Sequence, residues 1–346
     1  MAVAVITGSS GLVGSELVAH LDERGWTTHG IDNNMRRELF GEGGDTSASL
    51  RRLRDTTRRF THHDLDIRDG DGVARVVRET RPQLVVHAAA QPSHDFAARR
   101  PRDDFVQRAG DAHLLEAARQ WAPESPFVFL STNKVYGDSP NDVPLVELET
   151  RWDYADPALH EGIDERFAID RSLHSLFGVS KAAADLLVQE YGLNFGLPTV
   201  CFRAGCLTGS RHAAAELHGF LAYLARAFRD GVPYRVYGHG GKQVRDNLHA
   251  RDVARAVLAF AELPCSAAVY NLGGGRTGSI SMIEAIARLE ALTGNTLDWT
   301  YLDEPRRGDH ICYISDVRSF RSDYPSWEPE VSLDDILAEL AAAGER

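Results

Sequence analysis

The sequence predicts an α/β chain built on a doubly wound parallel sheet. Two observations predict it. Short apolar runs alternate with amphipathic stretches along most of the chain, and strand–helix alternation closes into a parallel sheet covered on both faces. The first run ends in a glycine-rich turn that opens a helix, the place where such sheets bind ligands. With 43% hydrophobic and 25% charged residues in 346, the chain is globular, neither disordered nor fibrous. Its length allows one large domain or two intimately joined ones.

The elements follow in order. Runs at 3–7, 27–32, 84–88, 127–131, 199–203 and 268–272 are the strand candidates. The stretch 14–24 carries Leu17, Val18 and Leu21 on one helical face, and 106–121 and 175–191 repeat apolar residues at three- and four-residue spacing. Residues 36–58, rich in Arg, Gly and polar types, read as a surface excursion. Residues 138–174, rich in Pro, Asp and Glu with weak periodicity, read as a long loop, and a loop of that length is usually functional or disordered.

The net charge of −12, without a long basic run, makes nucleic acid and membrane surfaces poor partners. Cys201, Cys206, Cys265 and Cys312 form no C-x-x-C pair. Dispersed thiols in a chain this long point to a reducing compartment, and no apolar run reaches the roughly 18 residues of a membrane helix. A cytoplasmic protein is expected. His62-His63 and the His87/His94 pair lack ligand spacing, so no metal is expected.

The first turn reads Gly8-Ser9-Ser10-Gly11-Leu12-Val13-Gly14. Gly8 suits the tight turn, Gly11 a close approach to a pyrophosphate, and Gly14 close packing of helix on strand, with the helix N-terminus offering N–H groups to phosphates. Asp32, followed by Asn33, ends the second strand candidate. A carboxylate there accepts both ribose hydroxyls of NAD and repels a 2′-phosphate, although Arg36 and Arg37 follow. A tight turn without ligand is the alternative. Asp66 with Ile67 suits an adenine amino group and ring, or Asp66 caps the helix starting near Asp69. In His87-Ala88-Ala89-Ala90-Gln91 the alanines either admit a dinucleotide backbone or simply pack under a helix.

The glycine turn, Asp32, His87-Ala88-Ala89-Ala90, Ser131-Thr132-Asn133-Lys134-Val135-Tyr136-Gly137 and Ser180-Lys181 occur in that order. Together they resemble the extended short-chain dehydrogenase/reductases that modify nucleotide sugars, over nearly the whole chain. The resemblance implies a Rossmann-type NAD domain at 1–195, to which the chain returns near 198–209 and 243–272. It also implies a smaller α/β nucleotide-sugar part, mainly 196–346, and a homodimer through a four-helix bundle of the helices near 106–121 and 175–191. Thr132–Asp138, Glu147–Arg151, Gly162–Glu165 and Gly241–Asp246 resemble most the CDP-paratose 2-epimerase (CDP-tyvelose epimerase) subfamily.

The family's centre is a Ser/Thr with Tyr and Lys as Y-x-x-x-K, a spacing that stacks Tyr and Lys on one helical face. Thr132 and Lys181 match; the position of the tyrosine holds Phe177, which has no proton to exchange. His174, three residues earlier, is the expected substitute if helix extends that far, since imidazole titrates near neutrality. Tyr136, Lys134, Cys206, His94 and His212 are further candidates, as is Lys181 or water it orients. A silent centre is the non-enzymatic alternative. The family's dehydratases carry Asp-Glu after the threonine, whereas Asn133-Lys134 stands here. Neither supplies the acid–base pair for water elimination. Epimerisation through a transient keto-sugar is therefore expected, with a dehydratase or 4-epimerase as the other enzymatic readings.

On the substrate side, Ala204 and Cys206 lie where the family brings cofactor and sugar together; Cys206 is equally a small buried hydrophobe. His94, Glu216 and His218 border the expected sugar pocket. Arg245 matches the diphosphate-binding arginine, and Arg307 with Asp309 the second nucleotide clamp. A guanidinium fork suits a diphosphate. Tyr237 borders the base or packs the core. His249 and Asp252 read as structural, and Gln107 replaces the family's asparagine on the dimer helix.

Overall fold

The computed structural model describes residues 2–91, 93–106, 108–211, 219–305 and 308–343. Seven strands form one sheet, in the order Ala268–Leu272, Thr199–Ala204, Phe127–Thr132, Leu84–His87, Val3–Thr7, Thr27–Ile31 and Phe60–His63. Every neighbouring pair is parallel. Period-two alternation sends their side chains to both faces of the sheet. Ala4, Ile6, Val86, Val128 and Phe202 face the helices Leu12–Glu23 and Ala250–Glu262. Val85, Phe127, Phe129 and Cys201 face Gly70–Thr80, Arg108–Trp121 and Leu176–Phe195. Burial on both sides is why the strands read as continuous apolar runs.

Strand order reverses between Val3–Thr7 and Leu84–His87. That switch point opens a crevice at the carboxyl ends of the strands. The second strand stops at Ile31, leaving Asp32 just past it at the crevice. The helix between the strands Phe127–Thr132 and Thr199–Ala204 runs over Leu176–Phe195, started by Ser175, whose hydroxyl accepts from Gly178 N at 3.1 Å. It ends at Gly196 in the left-handed region.

Two stretches differ from their expected form. The excursion after Asp32 contains two helices, Met35–Phe40 and Ser47–Thr56. The stretch expected as a long loop holds an antiparallel hairpin, Leu145–Glu147 with Trp152–Tyr154. Tyr154 and Ile163 are buried there with Tyr136 and Tyr313. Its apolar residues are anchored singly, which is why they show no period.

Beyond the sheet, Leu224, Phe228, Ile286, Leu289, Ile336 and Leu340 build a second core from the helices Phe220–Asp230, Met282–Thr293 and Leu333–Ala342. Val244–His249 joins the two parts, pairing with Cys206–Thr208, Ser279–Ser281 and Cys312–Tyr313. His249 caps the helix that follows, accepting from Arg251 N at 3.1 Å. Buried Asp252 accepts from Glu330 N and Val331 N.

Candidate active site

A cavity of about 1630 Å³ runs from the switch point to the second core. At the switch, Gly8 has φ +69°, and a Cβ there would lie 2.8 Å from Ala89 N. The loops after the two central strands therefore touch, and only glycine fits. Ala89 N also donates to Thr7 Oγ1 at 3.1 Å. A Cβ on Gly14 would lie 2.1 Å from the Gly8 carbonyl oxygen. Gly11 starts the helix without a side-chain cap, which leaves first-turn N–H groups for another partner. Ser10 Oγ is buried with no hydrogen-bond partner among the described residues.

Asp32 accepts from Ser10 N at 2.9 Å and from Asn34 N at 2.8 Å, tying the glycine turn to the end of the second strand. Asp66 accepts from Asn33 Nδ2 at 3.1 Å and from the Arg68 guanidinium. The neighbouring helix is capped by Asp69, which accepts from Gly72 N. Leu12, Ile67, Ala88, Ala89 and Ala90 complete this wall, and Arg36 reaches it while Arg37 pairs with Asp45. An uncapped helix N-terminus, an unpartnered hydroxyl, two carboxylates and small residues on both loops fit a dinucleotide.

At the centre, Thr132 ends its strand and starts a short 3₁₀ turn. Its Oγ1 accepts from Lys134 N and donates to Asn133 Oδ1, each at 3.3 Å. Lys181 lines the same cavity; its Nζ donates to Leu130 O at 2.6 Å and sits 4.1 Å from the Phe129 ring centre. Burial, with Arg108 adding to it, lowers its pKa to about 7. Phe177 lines the cavity too, and its ring packs on the imidazole of His94, centroids 4.8 Å apart.

His174 is not one turn before Phe177 on the same helix, because that helix starts at Leu176. Its Nδ1 faces Ser172 O at 3.0 Å and its Nε2 faces Val135 O at 2.7 Å. Both nitrogens meet carbonyl oxygens, so neither offers a lone pair to a substrate. His174 is corrected from candidate base to a tie between two loops. Tyr136 is buried, donates to Asn271 Oδ1 at 2.7 Å, and is pushed up to about 12 by burial. Burial likewise pushes the Cys206 thiol up to about 11, keeping it protonated.

At the far end, Arg245 Nη2 and Lys134 Nζ share one Asp309 oxygen, at 2.6 and 3.4 Å. The two cations hold the Asp309 carboxyl far below the usual carboxylate range despite its burial. Two cations on one carboxylate leave a net positive subsite, suited to an anion. Ala204, Cys206 and Tyr237 line the same cavity. Glu216, His218, Arg307, His212 and Gln107 lie outside the described residues. Asn141 escaped the sequence reading: its Nδ2 donates to Asp309 O and its Oδ1 accepts from Ile311 N. No local pattern marks it, because its partners lie some 170 residues away. Among the described residues no cluster of His, Cys, Asp or Glu could hold a metal ion.

The family model described as "NAD dependent epimerase/dehydratase family" matches residues 4–273. The chain is 31% identical to CDP-paratose 2-epimerase of Salmonella typhi, over 97% of both chains. It is 27% identical to dTDP-glucose 4,6-dehydratase of Neisseria meningitidis serogroup B, over 95% of this chain and 84% of that one. Among solved structures, UDP-glucose 4-epimerase of Thermus thermophilus in complex with NAD superposes with a TM-score of 0.77 at 25% identity, covering 99% of this chain and 98% of that one. The switch-point crevice, its glycine turn and the family match over three quarters of the length agree: this chain belongs to the NAD dependent epimerase/dehydratase family.

Proposed function

We propose that this chain epimerises a nucleotide-diphosphate sugar of the CDP-paratose type at C2, through a transient keto-sugar. One observation carries the reading: a single cavity joins the dinucleotide wall to the cationic subsite, and the residues after Thr132 are Asn133 and Lys134 rather than a carboxylate pair. Dehydration needs an acid–base pair that Asn and Lys do not supply. The 31% identity to the Salmonella typhi epimerase supports the choice of sugar class.

NAD, when bound, supplies the reversible hydride acceptor that oxidation and re-reduction of one carbon require. Asp32 accepts the adenosine ribose hydroxyls, and Asp66 with Ile67 frames the adenine. Lys181 holds the nicotinamide ribose. Thr132 and Asn133 hydrogen-bond the reacting sugar. Arg245 grips the diphosphate in exchange for part of its contact with Asp309, and Tyr237 borders the base. A homodimer through Arg108–Trp121 and Leu176–Phe195 belongs to the same proposal. So does a reducing cytoplasmic location, which the four free thiols support. No helix among the described residues is long and apolar enough to cross a membrane.

Phe177 favours one second reading, a nucleotide-sugar binder without turnover. Incubation with CDP-, UDP- and GDP-linked hexoses and 6-deoxyhexoses in D₂O, followed by NMR, separates the two. Isomerised sugar without carbon-bound deuterium is expected. Deuterium in the product would indicate a proton-abstraction route, and absence of turnover across the panel would leave the binder.

A further inference from the structure

Removing hydride from a carbinol requires a group that takes the hydroxyl proton and later returns it. Three of the cavity's proton-bearing side chains, His174, Lys134 and Lys181, are otherwise engaged, and the buried Tyr136 does not line it. Tyr136 spends its hydroxyl on Asn271, and His174 its two nitrogens on the Ser172 and Val135 carbonyls. Lys134 is held by Asp309, and Lys181 donates to Leu130 O. His94 is different. It opens the helix His94–Arg99, whose cap Ser93 accepts from Phe96 N at 3.1 Å. Its ring lines the cavity and lies directly against Phe177. Nδ1 is buried and has no hydrogen-bond partner among the described residues.

We infer that His94 exchanges the sugar's hydroxyl proton in this chain, taking over the task for which Phe177 has no atom. The inference rests on the epimerase reading above. In the step, the carbinol O–H bond breaks and its proton forms the N–H of His94. The freed pair closes the second C–O bond, and the C–H pair would leave with its hydrogen as hydride, for which NAD held at the Gly8–Gly14 turn and Asp32 would supply the acceptor. Reversal at the other face of the carbonyl carbon restores alcohol, imidazole and cofactor.

The charged groups around His94 give this role its control. Lys134 faces it from the turn after Thr132, Asp309 from the loop preceding the last strand, and Asp95 adjoins it on its own helix. Burial pushes its pKa down to about 4, Lys134 adds to that, and Asp309 opposes it. The free chain thus holds a neutral imidazole whose buried Nδ1 has no hydrogen-bond partner among the described residues. A diphosphate on the Arg245–Lys134 subsite brings negative charge that offsets Lys134, and an opposite charge nearby raises a histidine's pKa. Substrate binding would therefore strengthen the base as the sugar arrives.

Two measurements test this. In ¹⁵N-histidine NMR, with His94 assigned from the spectrum of His94→Gln, the resonance should titrate well below 6.5 in the protein. CDP, used as a diphosphate probe without sugar, should move it upward by about one unit. A His94 titrating at or above 6.5 and indifferent to CDP overturns the inference. In kinetics, His94→Ala should lower kcat about 10²–10⁴-fold, with CDP affinity kept within about threefold and partial rescue by added imidazole. The circular dichroism spectrum and CDP binding report whether the variant is folded, and the NMR titration of the unmutated protein stands without it. Near-normal kcat in His94→Ala, beside an active parent, overturns the inference alone. A parent with no turnover overturns the epimerase reading and this inference together.

Discussion

The rings of Phe177 and His94 pack with centroids 4.8 Å apart and planes tilted by 55°. The position that the resemblance assigns to a tyrosine is thus filled by an apolar ring whose neighbour is an imidazole with Nδ1 unpartnered among the described residues. Restoring the phenol in Phe177→Tyr places a hydroxyl in a packed, half-wet wall. The expected result is a kcat that stays level or falls up to about tenfold, with a stability loss of about 1 kcal/mol from overpacking. Steady-state kinetics and thermal unfolding read both. A tenfold gain in kcat would instead mark a centre disabled by the missing tyrosine.

Asp32 bonds Ser10 N and Asn34 N at once, so its removal strands two backbone donors as well as the proposed ribose contact. Each stranded donor costs about 1–3 kcal/mol where it is not rehydrated. Asp32→Ala should weaken NAD binding about 10–100-fold in calorimetric titration. Discrimination against NADP should narrow, because the repelling carboxylate is gone and Arg36 lines the same wall. Unchanged NAD affinity would remove Asp32 from the ribose.

How much of this was legible in the sequence depends on how local each residue's task is. Gly8, Gly14 and Asp32 act through the backbone of one strand–turn–helix–strand unit, so spacing alone locates them. The strands were legible because both faces of the sheet are buried. His174 was misread because its partners, Ser172 O and Val135 O, are set by the path of a segment without periodicity. No pattern of residues tells which carbonyl an imidazole will meet. The Arg245–Asp309–Lys134 cluster spans 175 positions. The resemblance supplied Arg245 and Asp309 separately, but only the fold puts both cations on one carboxylate oxygen.

Asp246 gives a pH-dependent test of the strand that carries Arg245. Its carboxyl is buried, accepts from Ser315 N at 3.2 Å through Oδ2, and leaves Oδ1 without a partner among the described residues. Burial pushes its pKa from 3.8 up to about 6. The folded chain therefore binds this proton more tightly than the unfolded chain. The stability it contributes is complete below about 3.8 and is lost as pH rises through about 6. Asp246→Asn keeps the shape without the charge. It should stabilise the fold by about 3 kcal/mol above pH 7, with the gain shrinking as pH falls toward 4. Urea unfolding of both proteins across that range checks it; a gain independent of pH would mean the carboxyl is not the cause.

Val179, Leu186 and Leu193 recur every seventh residue on the Leu176–Phe195 helix, and are 40%, 48% and 69% exposed. Seven residues make nearly two helical turns, so the three form one apolar stripe. Their helix packs beside Arg108–Trp121 within the chain. A second copy meeting the stripe across a twofold axis would complete four helices around a shared core. The unmutated chain should therefore sediment as a dimer. The pair of substitutions Leu186→Asp and Leu193→Asp should give monomers with an unchanged circular dichroism spectrum, because neither side chain belongs to the chain's own core. The cavity is built from one chain among the described residues, so the monomer should still bind CDP. An unmutated chain that stays monomeric at every concentration would refute the dimer, and a variant that still dimerises would move the interface off this stripe.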